Sequence, residues 1–243
     1  MDNYSADTYG ERIAGVYDQR YSEFDPDAIQ VLSELAQGGK VLELGIGTGR
    51  IALPLLHTGV PVEGIDASES MVSILRCKPE GDRIPIKMGN FADIPVDGHY
   101  SLIYVVFNTF FALLTQEEQI RCFQNVAKHL VSDGVFLIEA FVPDMKRFYS
   151  GQNMRVTRIG ENEVQVDVSE IELDAQVITS QHMVLTEQGT CFYPVKIRYV
   201  WPSEMDLMAR LSQLHLRERW SDWGKGQFTA DSSKHISVYE HRK

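Results

Sequence analysis

Residues 41–50 read VLELGIGTGR. One carboxylate, Glu43, stands between two leucines, and Gly45, Gly47 and Gly49 follow at alternate positions. Val41–Leu44 has the apolar character of a strand buried on both faces, and a helix is expected from about Arg50. A strand that runs through glycines into a helix makes a tight turn with its backbone amides exposed at the positive end of the helix dipole. An anionic or polar ligand can come close there. Glu43 lies at the strand tip, where an unpaired carboxylate is costly, so something must compensate it. A ligand bearing an ammonium group and a sulfonium would do so, whereas a pyrophosphate would be repelled. The competing readings are a plain glycine-rich turn and, because Gly47, Gly49 and Ala52 also satisfy GxGxxA with Asp66 downstream, a nicotinamide dinucleotide site.

Outward from this stretch, short apolar runs alternate with helical segments. Val62–Ile65 precedes a helix near Glu69–Arg76, Ile84–Met88 leads to Tyr100–Phe107, and a helix over Gln116–Leu130 precedes Val135–Phe141. That order predicts an α/β fold with a doubly wound, mostly parallel seven-stranded sheet. From Met154 to Trp201 the apolar period becomes two, through Val164, Val166 and Val168 and again Val195, Ile197, Tyr199 and Trp201, which predicts three or four antiparallel strands. Pro202 opens a helix with Met205, Leu207, Met208 and Leu211 expected on its inner side, and Leu216–Trp220 and Ile236–Tyr239 return to the main sheet. Residues 1–149 and 202–243 therefore read as one core. Residues 150–201 read as an inserted antiparallel element that serves as a lid, a substrate wall or a dimer contact.

The chain has 243 residues, of which 44% are hydrophobic, enough for one large core. Its three cysteines, Cys77, Cys122 and Cys191, are far apart, so neither a disulfide framework nor a metal site is expected and a reducing cytoplasm fits. The start, MDNYSADTYGER, lacks the apolar centre of a signal peptide. Leu102–Leu114, the longest apolar run, is broken by Asn108 and Thr109 and falls short of the ~20 residues that span a membrane. A net charge of −11 argues against nucleic acid and leaves a small molecule as the expected partner.

ELGIGTG resembles the first motif of the class I S-adenosylmethionine-dependent methyltransferases, an acidic residue followed by GxGxG at the end of the first strand. VEGIDASESM resembles their second-strand motif, which implies Asp66 on the ribose hydroxyls and Ala67 and Met71 against the adenine. The alternative for Asp66 is a helix N-cap. GNFADIP resembles the loop after the third strand, with Asn90 where the family has an acid; its carbonyl can still accept from the adenine amino group, and Phe91 would offer a backbone amide. Phe107 closes SLIYVVFN where the fourth strand meets the cofactor, or is an ordinary core aromatic. YDQRY is similar to the YDxxY helix that folds over the cofactor, with Tyr17 and Tyr21 on one face and Tyr17 the expected contact. The antiparallel insertion most resembles that of amino-sugar N,N-dimethyltransferases.

The resemblance implies S-adenosyl-L-methionine as cofactor and an in-line displacement that moves a methyl group to a nitrogen, oxygen or carbon of a small acceptor. A nicotinamide-dependent oxidoreductase and a catalytically silent cofactor-binding protein are the alternatives. For a proton step the candidates are Glu139, at the end of GVFLIEAF, and His182 on the inserted sheet, with His235 behind them. Glu139 alternatively caps backbone amides, and His182 is alternatively a satisfied structural histidine. An unpaired edge on the insertion would allow a homodimer.

Overall fold

The computed structural model describes residues 3–21 and 23–242. Two helices open the fold, α1 (Thr8–Arg20) and α2 (Pro26–Ala36). Asp25 starts α2 by accepting from the Asp27 amide at 3.1 Å, Pro26 fits the first turn, and the helix stops where Gln37 turns left-handed. There follow β1 (Val41–Leu44), α3 (Ala52–His57), β2 (Val62–Asp66), α4 (Glu69–Cys77), β3 (Ile86–Met88), β4 (Tyr100–Val105), α5 (Gln116–His129) and β5 (Leu130–Phe141). Thr115 and Glu118 cap α5 reciprocally. Next comes a four-stranded antiparallel sheet of β6 (Gln152–Ile159), β7 (Glu163–Glu172), β8 (Val177–Thr186) and β9 (Gly189–Arg198). α6 (Pro202–Leu211), β10 (Leu214–Trp220) and β11 (Lys234–His241) complete the chain.

The main sheet has the order β10-β11-β5-β4-β1-β2-β3. β1 to β5 run parallel, whereas β11 is antiparallel to both β5 and β10. The two C-terminal strands thus rejoin the sheet without extending its parallel part. Every residue of β1 is buried because helices cover both sheet faces. On one face Leu42 and Leu44 pack with Phe110, Phe123 and Phe136; on the other, Val41 packs with Leu32, Leu55 and Leu75.

Two packing expectations are corrected. Leu207 and Leu211 of α6 are exposed; the inner face runs through Met205, Met208 and Ala209 and continues at buried Ser212, whose hydroxyl donates to the Met208 carbonyl. Tyr199 and Trp201 lie beyond the end of β9, where Tyr199 is buried in the core and Trp201 is largely exposed.

Candidate active site

The C-terminal ends of β1, β2 and β4 open into a cavity of about 630 Å³, with α1 across it and one face of the inserted sheet as its far wall. Glu43 is buried beneath the glycine turn. Parallel register places it beside Tyr104, whose hydroxyl donates to its Oε2 at 2.9 Å. Burial pushes the Glu43 carboxyl up to about 8, against the lowering effects of the Tyr104 hydroxyl and the nearby Arg50 charge.

Gly47 has a left-handed backbone (φ +56°) and turns its amide toward Asp66, whose Oδ2 accepts it at 2.7 Å. Asp66 Oδ1 accepts from the Ser68 amide at 2.8 Å, so this carboxylate ties the glycine turn to the start of α4. Its pKa is raised by burial, although those amides act in the opposite sense. The N-cap of α4 is Ser68, which accepts from the Met71 amide.

Of the residues expected at the cofactor, Tyr17, Glu43, Gly45, Gly47, Asp66, Ala67, Met71, Asn90, Phe91 and Phe107 all line this one cavity. Gly49 does not. It is left-handed (φ +76°), and a Cβ there would lie 2.4 Å from Leu75 Cδ1, so its small size serves the packing of the turn against α4. Asn90 reaches the wall, but its Oδ1 already accepts from the Ala92 amide at 2.9 Å.

Phe107 and Asn108 are consecutive left-handed residues without being glycine (φ +56° and +66°). Three bonds hold that bend: Glu139 Oε2 accepts from the Phe107 amide at 3.0 Å, the Asn108 amide donates to the Glu139 carbonyl, and Asn108 Oδ1 accepts from the Phe141 amide. Glu139 Oε1 accepts from Trp223 Nε1 at 3.1 Å and lies 3.6 Å from Lys234 Nζ. Glu139 therefore holds a backbone bend and is not among the residues that line the cavity, in contrast to its expected place as a base. His235 is also remote, buried with Nδ1 on Ser237 Oγ, and burial lowers its pKa to about 3.

His182 does line the cavity. Strand register builds its surroundings in rows: Arg155 pairs with Asp167 and Asp167 with His182, while Asn153, Ser169, Ser180 and Val195 form the adjacent row. His182 Nδ1 bonds to Asp167 Oδ1, and Arg155 Nη2 lies 3.2 Å from Asp167 Oδ2. Burial raises the Asp167 pKa, but His182 and Arg155 outweigh it and the carboxyl titrates below its ordinary value. The face of β7 that carries Asp167 is opposite the Val164, Val166 and Val168 face.

The sequence reading missed Arg50. Its guanidinium stands 4.4 Å from the Phe107 ring centre, its Nη1 donates to the Glu23 carbonyl, and its Nε is buried with no partner among the described residues. It follows the third glycine directly. A cation ahead of a helix N-terminus is unfavourable for the helix dipole, and that conflict was the available signal.

α1 closes the cavity. Asp18 accepts from Thr48 Oγ1 at 2.6 Å and pairs with Lys78 at 2.6 Å, and Glu11 accepts from Ser68 Oγ at 2.7 Å and from the Ser70 amide at 3.0 Å. In the same last turn as Asp18, Arg20 lies 4.5 Å from the centre of the Tyr193 ring on β9. Tyr17 and Tyr21 are in ring contact at 5.1 Å, and Tyr21 meets Phe107 edge-on at 5.3 Å.

Residues 41–134 match a family described as a methyltransferase domain. The solved structure of the CcbJ methyltransferase from Streptomyces caelestis is 34% identical, superimposes with a TM-score of 0.91, and is covered over 100% of its length by 99% of this chain. The chain is a class I S-adenosylmethionine-dependent methyltransferase. The cypemycin N-terminal methyltransferase of a Streptomyces species is 26% identical over 204 residues, which are 84% of this methyltransferase and 83% of that one. CalS10, an amino pentose methyltransferase from Micromonospora echinaspora, shares the fold at 17% identity, with a TM-score of 0.67 over 92% of this chain and 94% of its own. This family uses S-adenosylmethionine, and the nicotinamide alternative is set aside. No helix among the described residues of the methyltransferase is long and apolar enough to cross a membrane.

Proposed function

We propose that this methyltransferase transfers a methyl group to a nucleophilic nitrogen, oxygen or carbon of a small acceptor bound between the glycine turn and the inserted sheet, with His182 taking the acceptor proton. The observation that carries this reading is a single cavity whose walls include Gly45, Gly47 and Asp66 on one side and the Asp167–His182 pair on the other.

The cofactor half suits a zwitterionic, cationic nucleoside. Buried Glu43, whose pKa is pushed up to about 8, would give up its proton to face a ligand ammonium, Arg50 beside it carries a buried Nε with no partner among the described residues, and the two together match the ammonium and carboxylate of an amino-acid group. Asp66 would receive ribose hydroxyls, Ala67 and Met71 would pack on the base with Asn90 and Phe91 at its edge, and Tyr17 and Phe107 would cover the cofactor. When bound, S-adenosylmethionine supplies a methyl group on a positively charged sulfur. The protein has only to orient the acceptor, exclude water and accept a proton. With Nδ1–H donated to Asp167, His182 Nε2 is the free basic nitrogen, and the Asp167 carboxylate stabilises the imidazolium that forms. Arg155 keeps Asp167 ionised and fixed. The insertion, residues 150–201, acts in this scheme as the acceptor wall.

Calorimetric titration with S-adenosylmethionine and S-adenosylhomocysteine, followed by turnover on a panel of amines and phenols, tests the scheme. His182→Gln is expected to leave cofactor affinity unchanged and to lower kcat by about 10²-fold or more on acceptors that must lose a proton. Wild-type turnover in that variant removes the base. A protein that binds neither cofactor form removes the assignment of the cavity, and one that binds both but transfers nothing is catalytically silent.

A further inference from the structure

The acceptor side of the cavity is basic in a chain whose net charge is −11. Two guanidinium groups meet there, Arg147 from the turn after β5 and Arg155 from β6. Arg155 is partly neutralised by Asp167, the one carboxylate that the insertion contributes to the wall, and Asp167 is already shared with His182. Arg147 makes no ion pair and no side-chain hydrogen bond among the described residues. Its guanidinium is held instead by aromatic faces, 4.9 Å from the centre of the Phe148 ring and 5.9 Å from that of Phe141. Burial first, and the neighbouring Arg155 charge second, lower the Arg147 pKa. Asp144 and Asp167 are the carboxylates whose charges reach Arg147, yet neither forms an ion pair with it among the described residues, and a flat guanidinium fork with free donors matches an oxyanion. Beside it the wall turns apolar, with Ile178 opposite Ile197 and Val195 in the next row.

We propose that the methyl acceptor carries an oxyanion group, a carboxylate or a phosphate, which Arg147 binds with help from Arg155 while Ile178, Val195 and Ile197 hold its apolar body. This specificity rests on the reading of the inserted face as the acceptor wall. It also explains why a wall facing a cationic cofactor is itself cationic: the acceptor brings the compensating charge.

The probes are benzoate, phenyl phosphate and the neutral isostere benzamide, each titrated at low salt into the protein saturated with S-adenosylhomocysteine. At least one anion is expected to bind about tenfold more tightly than benzamide, and which one does so identifies carboxylate or phosphate. Arg147→Gln is expected to bring that preference to within about twofold and Arg147→Lys to restore part of it, with S-adenosylhomocysteine affinity unchanged in both as the control for folding. Equal binding of benzamide and the anions, a preference that survives Arg147→Gln, or no binding of any probe at millimolar concentration overturns the proposal. If S-adenosylhomocysteine itself does not bind, the cofactor assignment fails separately, and the same titrations on the protein alone still decide the anion preference.

Discussion

Replacing Gly49 by alanine separates the two demands made on the glycine turn. The backbone there is left-handed at φ +76°, which costs an alanine about 1–2 kcal/mol. The new Cβ would also lie 2.4 Å from Leu75 Cδ1, a side chain with 0% exposure and no room to withdraw. Overpacking of that kind adds about 1–3 kcal/mol, for a total of about 2–5 kcal/mol. Leu75→Ala alone is expected to cost about 2–5 kcal/mol through the cavity it leaves. In the double variant the Gly49→Ala methyl enters the vacated space, so the steric part disappears while the backbone part stays. Urea unfolding of the four proteins should therefore show the double variant more stable than the sum of the single changes by about 1–3 kcal/mol. Strict additivity, or a Gly49→Ala protein within about 0.5 kcal/mol of wild type, would refute the packing role assigned to this glycine.

Glu139→Gln puts an amide nitrogen against either the Phe107 amide or Trp223 Nε1 and removes the charge from both bonds, so a loss of about 2 kcal/mol in unfolding free energy and a rise in the cofactor Kd are expected; an unchanged melting temperature contradicts the clamp. Glu43 titrates at about 8 in the folded chain against an ordinary 4.5, so the folded state holds a proton that the unfolded state lacks between those values. Its contribution is therefore fully present below about 4.5 and is lost as the pH rises through about 8. Unfolding free energy measured across that window should fall more steeply with pH in wild type than in Glu43→Gln, and equal slopes would remove the buried proton. On the outer face of the insertion, Met154 and Val156 are exposed on β6, an edge strand with β7 on one side and no partner strand on the other among the described residues. A homodimer through this edge is expected in sedimentation at high concentration and should dissociate on Val156→Lys, and a wild-type monomer under those conditions excludes it.

That the residues chosen for the cofactor would be neighbours was largely legible because the logic of their placement is local. A glycine turn, the strand before it and the carboxylate at the end of the next strand are each read from a few contiguous residues, and the structure brings ten of the eleven positions so chosen to one cavity. Gly49 falls outside that lining for a physical reason: a small residue demanded by Leu75 looks the same in sequence as one demanded by a ligand. On the opposite wall only His182 was singled out, and its partners were not, for the opposite reason. Arg155, Asp167 and His182 become neighbours only through the register of three strands, and period-two alternation does not say which face of a sheet meets the cavity. Glu139 was noticed for its charge at a strand end, but only the left-handed bend at Phe107 shows what that charge restrains.

The first helix is fastened near its start by Glu11 to the beginning of α4, and near its end by Asp18 to the glycine turn and by Arg20 to Tyr193 on the opposite sheet. In the proposed scheme a nucleoside-sized cofactor enters beneath this strap, and its entry is expected to open one of those anchorages. On that scheme solvent viscosity is expected to slow steady turnover more than it slows the first methyl transfer of a preloaded enzyme, and equal slowing of both would refute it.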